Sequence, residues 1–216
     1  MTETDASIRR PALIVVDMQN DFLRRGAPLE VPRGGECIAP IAALSAGFRQ
    51  RSFPVVFTRF LAGPAEAHWW ERWSPPCAAE DRACWPGVFR TYADTHAPLE
   101  GAAIIDELAP DLGDVVIDKF HYDAFFRTPL ADVLNAQGCD AIVVVGVVTE
   151  GCVADTVRGA FCHRIPAAVV TDAVAPYADD LQEPALRNIE TTYGSLIEAP
   201  RALADLEDQV ATLRWW

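Results

Sequence analysis

Apolar residues fall in short unbroken runs separated by polar, glycine-bearing segments. Four runs are dense in β-branched and aliphatic residues: ALIVVDM at 12–18, PVVFTRF at 54–60, DVVIDKF at 114–120 and AIVVVGVV at 141–148. AAVVTDAV at 167–174 is a fifth and GSLIEA at 194–199 a sixth. Continuous apolarity, in place of alternation, predicts strands buried on both faces of a parallel sheet. Between these runs, helical apolar spacing predicts helices over 36–50, 101–110, 128–138, 152–163 and 183–193. Strand and helix alternate through most of the chain. The expected fold is a doubly wound three-layer α/β/α sandwich around a mostly parallel six-stranded sheet.

Two stretches break that rhythm. Residues 61–100 carry His68, Trp69, Trp70, Trp73, Trp85 and several prolines without a clean period. Such an insertion predicts either a lid or binding loop, or an aromatic plug for a subunit interface. Residues 200–216 are expected to form a C-terminal amphipathic helix and tail ending in Trp215 and Trp216, which suits packing or self-association. With no linker or repeat, residues 1–216 are expected to form a single domain.

Composition narrows the class. The chain has 216 residues, half of them hydrophobic, enough for one substantial core. A net charge of -13 argues against binding nucleic acid. No apolar run has membrane-spanning length, and MTETDASIRRP lacks the apolar centre of a signal peptide, so the expectation is no membrane partner and a cytoplasmic location. The six cysteines are expected to be free thiols, and His68 with Cys77 and Cys84 has no zinc-knuckle spacing.

In an open parallel sheet, ligands bind beyond the carboxyl ends of the strands. The first predicted strand delivers Asp17 there, the second Thr58 and Arg59, the third Asp118 and Lys119, the fourth the TEGC turn with Cys152, and the fifth Asp172. Taken singly, Asp17 is equally a turn cap, Lys119 a strand-end lysine reaching water, and Cys152 a small buried residue. Taken together, an acid, a base and a thiol on one rim point to one site. A helix starting just after Gly151 and a nearby Lys119 ammonium would favour the Cys152 thiolate. Asp17 could accept the thiol proton and return it to a leaving amine, and backbone N–H groups of the turn could hold an oxyanion. GVVTEG lacks a following Lys-Ser/Thr pair and no G-x-G-x-x-G opens a helix, so phosphate-loop and dinucleotide readings are unsupported. Cys162 and His163 are adjacent in a predicted helix and point apart, and His121 is either a substrate-orienting group or a solvated strand-end histidine.

ALIVVDMQNDF at 12–22, VVIDKFHYDAFFRTPL at 115–130 and VVVGVVTEGCVADT at 143–156 together resemble the isochorismatase-like cysteine hydrolases, with GAAIIDELAP and AAVVTDAVAP matching in placement. The resemblance covers residues 11–200. It implies a six-stranded parallel sheet, a dimer or tetramer, Asp17 as general acid/base, Lys119 as the triad lysine and Cys152 as nucleophile. It further implies a cis peptide at Val147–Val148, an oxyanion hole of the Val148 and Cys152 backbone N–H groups, and Phe22 and Phe125 on the pocket wall. Tyr122 and Arg59 join them as candidate substrate contacts. The Asp-x-His metal pair of nicotinamidases in the family is replaced here by Phe60 and Ala62 in TRFLA, so neither a metal nor another cofactor is expected. The expected function is hydrolysis of a carbon–nitrogen bond in a small amide, ureido or carbamoyl compound through a thioester. The alternatives are isochorismatase-type ether hydrolysis, a catalytically silent assembly protein of the same fold, and a thiol redox sensor.

Overall fold

The computed structural model describes residues 8–65 and 67–207. In chain order the elements are β1 (Pro11–Val16), α1 (Asn20–Leu23), α2 (Ile38–Gln50), β2 (Val55–Phe60), α3 (Ala67–Trp73), β3 (Phe89–Arg90) and β4 (Leu99–Glu100). Then follow β5 (Val115–Lys119), α4 (Leu130–Ala136), β6 (Ala141–Val147), α5 (Ala154–Cys162), β7 (Ala167–Ala175), α6 (Asp179–Thr192), β8 (Ser195–Ile197) and α7 (Ala199–Glu207). The main sheet has six strands in the order β5-β2-β1-β6-β7-β8. Every pairing in it is parallel.

Two buried apolar clusters flank this sheet. One joins Leu13, Val15, Phe57, Val143 and Val145 to Ile41, Leu44 and Phe48 of α2 and Ala202 and Leu206 of α7. The other joins Ala12, Ile14, Val16, Val56 and Val144 to Leu130 and Leu134 of α4, Val157 of α5 and Ile189 of α6. Successive residues of one strand enter opposite clusters, as a two-faced strand requires. The three layers are therefore α2/α7, sheet, and α4/α5/α6.

The edge strand β5 departs from the expected pattern. Its burial alternates, with Val116 and Asp118 exposed and Ile117 and Lys119 buried. A strand with one neighbour and one open face needs only every second residue to be apolar.

The helix expected over 101–110 is not formed; only a single 3₁₀ turn, Asp106–Leu108, occurs there. The backbone of this segment is committed elsewhere. Gly101 and Ala103 carbonyls accept the Asp21 and Asn20 N–H groups, and Ile105 N–H donates to Met18. Gln19 and Ile104 form an antiparallel bridge. Three groups bonded to another segment cannot also close helical turns. Gly101 is needed there, since a Cβ would stand 2.2 Å from Asp21 Oδ2.

The insertion at 61–100 contains α3, a 3₁₀ turn at Pro75–Cys77 and the two-stranded β3–β4 pair, none of which the aperiodic sequence predicts. Buried Asp21 ties it down: its carboxylate accepts from Cys84 N–H at 2.7 Å, Tyr92 Oη at 2.7 Å and Arg90 Nε at 3.0 Å. At the C-terminus, the expected amphipathic helix is present as α7 up to Glu207. Residues 208–216, including both terminal tryptophans, lie outside the described residues.

The reversal of strand order falls between β1 and β6, where the chain winds outward in both directions. That is the switch point at which a doubly wound sheet opens a crevice. The two strands approach closely because Gly146 has φ +109, and a Cβ there would meet Val16 O at 2.2 Å and Val16 N at 2.8 Å. Both obstacles are backbone and the φ is one L-residues avoid. Gly146→Ala is expected to destabilise the protein by about 2–3 kcal/mol, read from the urea midpoint. A loss under a few tenths would show that β1 and β6 can part without cost.

Candidate active site

Three strand ends meet at the crevice. Asp17 follows β1 directly and takes φ +52, a left-handed conformation that Asp tolerates better than most residues. This turns its carboxylate into the sheet, where Thr58 Oγ1 of β2 donates to Oδ1 at 2.7 Å. Lys119 closes β5 in register with Phe60. Cys152 sits in the wide turn Thr149–Val153 between β6 and α5, and Gly151 in that turn has non-helical φ −108, ψ −107. The Val147–Val148 peptide is cis, where the family resemblance places it.

The side chains converge on one ammonium. Lys119 Nζ lies 2.7 Å from Asp17 Oδ2. The same nitrogen donates to Cys152 Sγ at 3.2 Å and to the His121 carbonyl at 3.0 Å. Its three N–H directions are therefore all used, and it cannot swing away without losing one. Asp17 and Lys119 are fully buried and Cys152 is 5% exposed. The Phe60 ring centroid stands 5.3 Å from Nζ, which adds a favourable aromatic face.

Burial favours the neutral form of each group, and the outcome depends on partners. For Lys119, desolvation pulls the pKa down, but Asp17 first and Cys152 next more than compensate, so the ammonium is held charged. For Cys152, desolvation pushes the pKa up; Lys119 opposes this, while the charge of Asp17 and its hydrogen bond with the thiol add to it. The direction of this balance favours the protonated thiol. This corrects the expectation of a preformed thiolate. Helix α5 starts at Ala154, so the helix N-terminus expected at Cys152 lies two residues further on, and burial is the largest influence on the sulfur, raising it against the pull of the ammonium.

The other candidates separate. Phe22 is buried with its ring edge-on to Phe60, centroids 6.4 Å apart, so it supports the wall one ring behind the ammonium. Tyr122 stacks obliquely on Phe60 and on Trp70 and opens into a cavity beside the triad. Phe125 stacks on His163 and lines a different, neighbouring cavity with Cys162 and Arg158. Arg59 does not join the group: its guanidinium pairs with Asp118 at 2.7 and 3.0 Å on the partly exposed face of the sheet. Neighbouring Thr58 and Phe60, pointing the other way along the pleat, are the ones that reach the site.

Tyr177 was not foreseen. It follows β7, and although the residue is 39% exposed overall, the packing around its hydroxyl pushes it up, with Cys152, Cys84, Cys77 and Tyr122 adding to this. Its backbone N–H donates to Glu150 Oε1 of the cysteine turn at 3.1 Å. The rule that brought in the other strand ends applies equally to the residues after β7, so the position was legible even without an ionic signature. Among the described residues, no group of three or more His, Cys, Asp and Glu is placed to hold a metal ion. Phe60 and Ala62 are both buried.

Comparison with known proteins gives the family. A family profile described as the isochorismatase domain matches residues 11–200. The chain is 31% identical over 198 residues to a maleamate amidohydrolase of Pseudomonas putida, covering 92% of this chain and 87% of that protein. It is 31% identical over 211 residues to the ureidoacrylate amidohydrolase RutB of Methylorubrum extorquens, covering 89% and 79%. Among solved structures it resembles a cysteine hydrolase from Pseudomonas syringae pv. phaseolicola, with TM-score 0.80, 25% identity and coverage of 96% and 99%. It also resembles the N-carbamoylsarcosine amidase of Thermoplasma acidophilum, with TM-score 0.71, 27% identity and coverage of 88% and 96%. With a family profile over residues 11–200 and curated relatives 31% identical over most of their length, the chain belongs to the isochorismatase family.

Proposed function

We propose that this chain hydrolyses the carbon–nitrogen bond of a small amide, ureido or carbamoyl compound through a thioester on Cys152. The observation that carries the reading is the buried Lys119 ammonium, 2.7 Å from a carboxylate and 3.2 Å from a thiol at the switch point of the sheet. Relatives named maleamate amidohydrolase, ureidoacrylate amidohydrolase and N-carbamoylsarcosine amidase support it.

Each residue then has a task. Cys152 Sγ attacks the carbonyl carbon as its proton passes to Asp17, so no free thiolate has to exist in a dry site beforehand. The carbonyl oxygen becomes an oxyanion, received by the backbone N–H groups of Val148 and Cys152; the Gly151 and Val153 N–H groups are occupied by the Val148 carbonyl. Such donors contribute about 3 kcal/mol each to the transition state. The intermediate collapses as Asp17 returns the proton to the departing nitrogen, releasing ammonia or an amine. Water then attacks the thioester, giving a proton to Asp17, and the carboxylate product leaves as that proton returns to sulfur. Lys119 keeps its charge throughout and holds the aspartate and sulfur in register. Phe22, Tyr122 and Phe60 shape the wall on which the substrate lies.

Homo-oligomeric assembly and a cytoplasmic location belong to the same proposal. The exposed rings of Phe89 and Phe161 support the first and six free cysteines the second.

The test is release of ammonia or amine from a panel of small primary amides, carbamoyl and ureido acids that includes maleamate and ureidoacrylate. At least one member is expected to turn over, with a Cys152-linked acyl adduct detected by mass spectrometry after a rapid acid quench. Turnover with no adduct, or no turnover across the panel by protein whose Cys152 still alkylates, would overturn the reading.

A further inference from the structure

A cavity of about 430 Å³ opens beside the triad, a volume suited to a small ligand. Its walls are the rings of Trp69, Trp70, Trp73, Tyr122 and Phe126, with His121 at one side. It adjoins the reacting groups through three links. The His121 carbonyl accepts from Lys119 Nζ. Tyr122 and Trp70 pack on Phe60, whose ring faces that same nitrogen. Asp155, which also lines the cavity, is in the first turn of α5, three residues after Cys152.

The charge of this lining is one-sided. Two carboxylates, Asp123 and Asp155, border it, and among the described residues no lysine or arginine does. Asp155 is paired with Arg158 at 2.5 Å, which lies in the neighbouring cavity. Asp123 forms no salt bridge among the described residues; its Oδ1 accepts only the Phe125 N–H at 2.8 Å. Burial pushes the Asp123 carboxyl up and Asp155 adds to it, against the Phe125 N–H, His163 and Lys119. The rings are also of a kind that attracts cations: Arg72 stands 5.2 Å from the Trp73 centroid and Arg127 5.2 Å from that of Phe126, though neither residue lines the cavity. A net charge of -13 draws cations to the surface in general.

We infer that this aromatic cavity is a subsite for an organic cation, so that the amide cleaved at Cys152 carries a quaternary or protonated amine on the part that extends away from the triad. The inference rests on the amidohydrolase reading and specifies its substrate class. A carboxylate in the same place would meet Asp123, which has no salt-bridge partner among the described residues, whereas Asp155 is already paired with Arg158.

Three primary amides of equal chain length, ending in trimethylammonium, tert-butyl or carboxylate, test this. The tert-butyl group matches the onium in shape and lacks its charge. kcat/KM is expected to be about tenfold higher for the onium than for tert-butyl, and lowest for the carboxylate. Asp123→Asn, which is isosteric, and Trp73→Leu, at a side chain already 57% exposed, are expected to remove most of the onium advantage. Equal rates for onium and tert-butyl, a preference for the carboxylate, or an advantage unchanged in both variants would overturn the inference. Binding of benzyltrimethylammonium, followed by tryptophan fluorescence, separates the two readings. Onium binding that weakens in both variants, without hydrolysis of any amide, keeps the subsite and sinks the activity. Cys152-dependent hydrolysis without onium binding keeps the activity and sinks the subsite.

Discussion

Cys152→Ala is expected to lower amide turnover by about 10⁴- to 10⁶-fold, the range seen when a covalent nucleophile is removed and only an oxyanion site and binding remain. The substitution deletes one sulfur atom from a residue that is 5% exposed and disturbs little else. Lys119 keeps Asp17 and the His121 carbonyl, so the buried ammonium is still paired. The cost to stability is therefore about 1 kcal/mol, and the urea midpoint reports it separately from the rate. This separation matters because the competing readings predict different pairs of results. A redox sensor loses its oxidation response and has no turnover to lose. A silent assembly protein shows neither. Ether hydrolysis, which needs no thioester, survives the substitution. Only covalent amide hydrolysis loses the rate while keeping the fold.

Why the triad was legible in the chain, and its surroundings were not, has a physical explanation. Parallel strands buried on both faces give unbroken apolar runs, and each run ends where the chain meets the crevice. Asp17, Lys119 and Cys152 stand at those ends, so locating the strands located the residues. The same reasoning misplaced the segment 101–110, because a helical apolar spacing does not reveal that the backbone is bonded to 18–21. It brought in Arg59 by position without seeing that Asp118, its register partner on β5, would take the guanidinium. The family resemblance names Phe125 as pocket wall, with Tyr122 as a substrate contact, although the turn after β5 sends the two to neighbouring cavities. Asp123 and Asp155 come from separate elements and meet only in the fold. The charge state of the thiol depended on a balance of burial, carboxylate and ammonium that strand ends alone do not express.

Asp17→Asn is expected to move two properties of Cys152 in opposite directions. Turnover falls by about 10²- to 10⁴-fold, since nothing remains to carry the proton from sulfur to nitrogen. Alkylation of the same sulfur at neutral pH becomes faster. The sign follows from the balance in the folded protein. Burial pushes the thiol up, Lys119 pulls it down, and the Asp17 charge and hydrogen bond push it up again. Replacing the carboxylate by an amide removes the last of these and leaves the ammonium 3.2 Å from sulfur. The thiolate then becomes the counter-ion of Lys119, and its fraction below the pKa grows tenfold for each unit the pKa drops. In the wild type, alkylation accordingly keeps rising with pH beyond the ordinary thiol value near 8.5; in Asp17→Asn the inflection shifts to lower pH. The exchange also weakens a fully buried ion pair, so a stability loss of about 3–5 kcal/mol is expected, and the rates have to be taken where circular dichroism shows the variant folded. Slower or unchanged alkylation with lost turnover would mean that Asp17 does not hold the thiol proton. Faster alkylation with turnover retained would remove Asp17 from the chemistry altogether. The proton-shuttle role requires both changes at once, because one carboxylate both keeps the resting sulfur protonated and takes that proton when the carbonyl arrives.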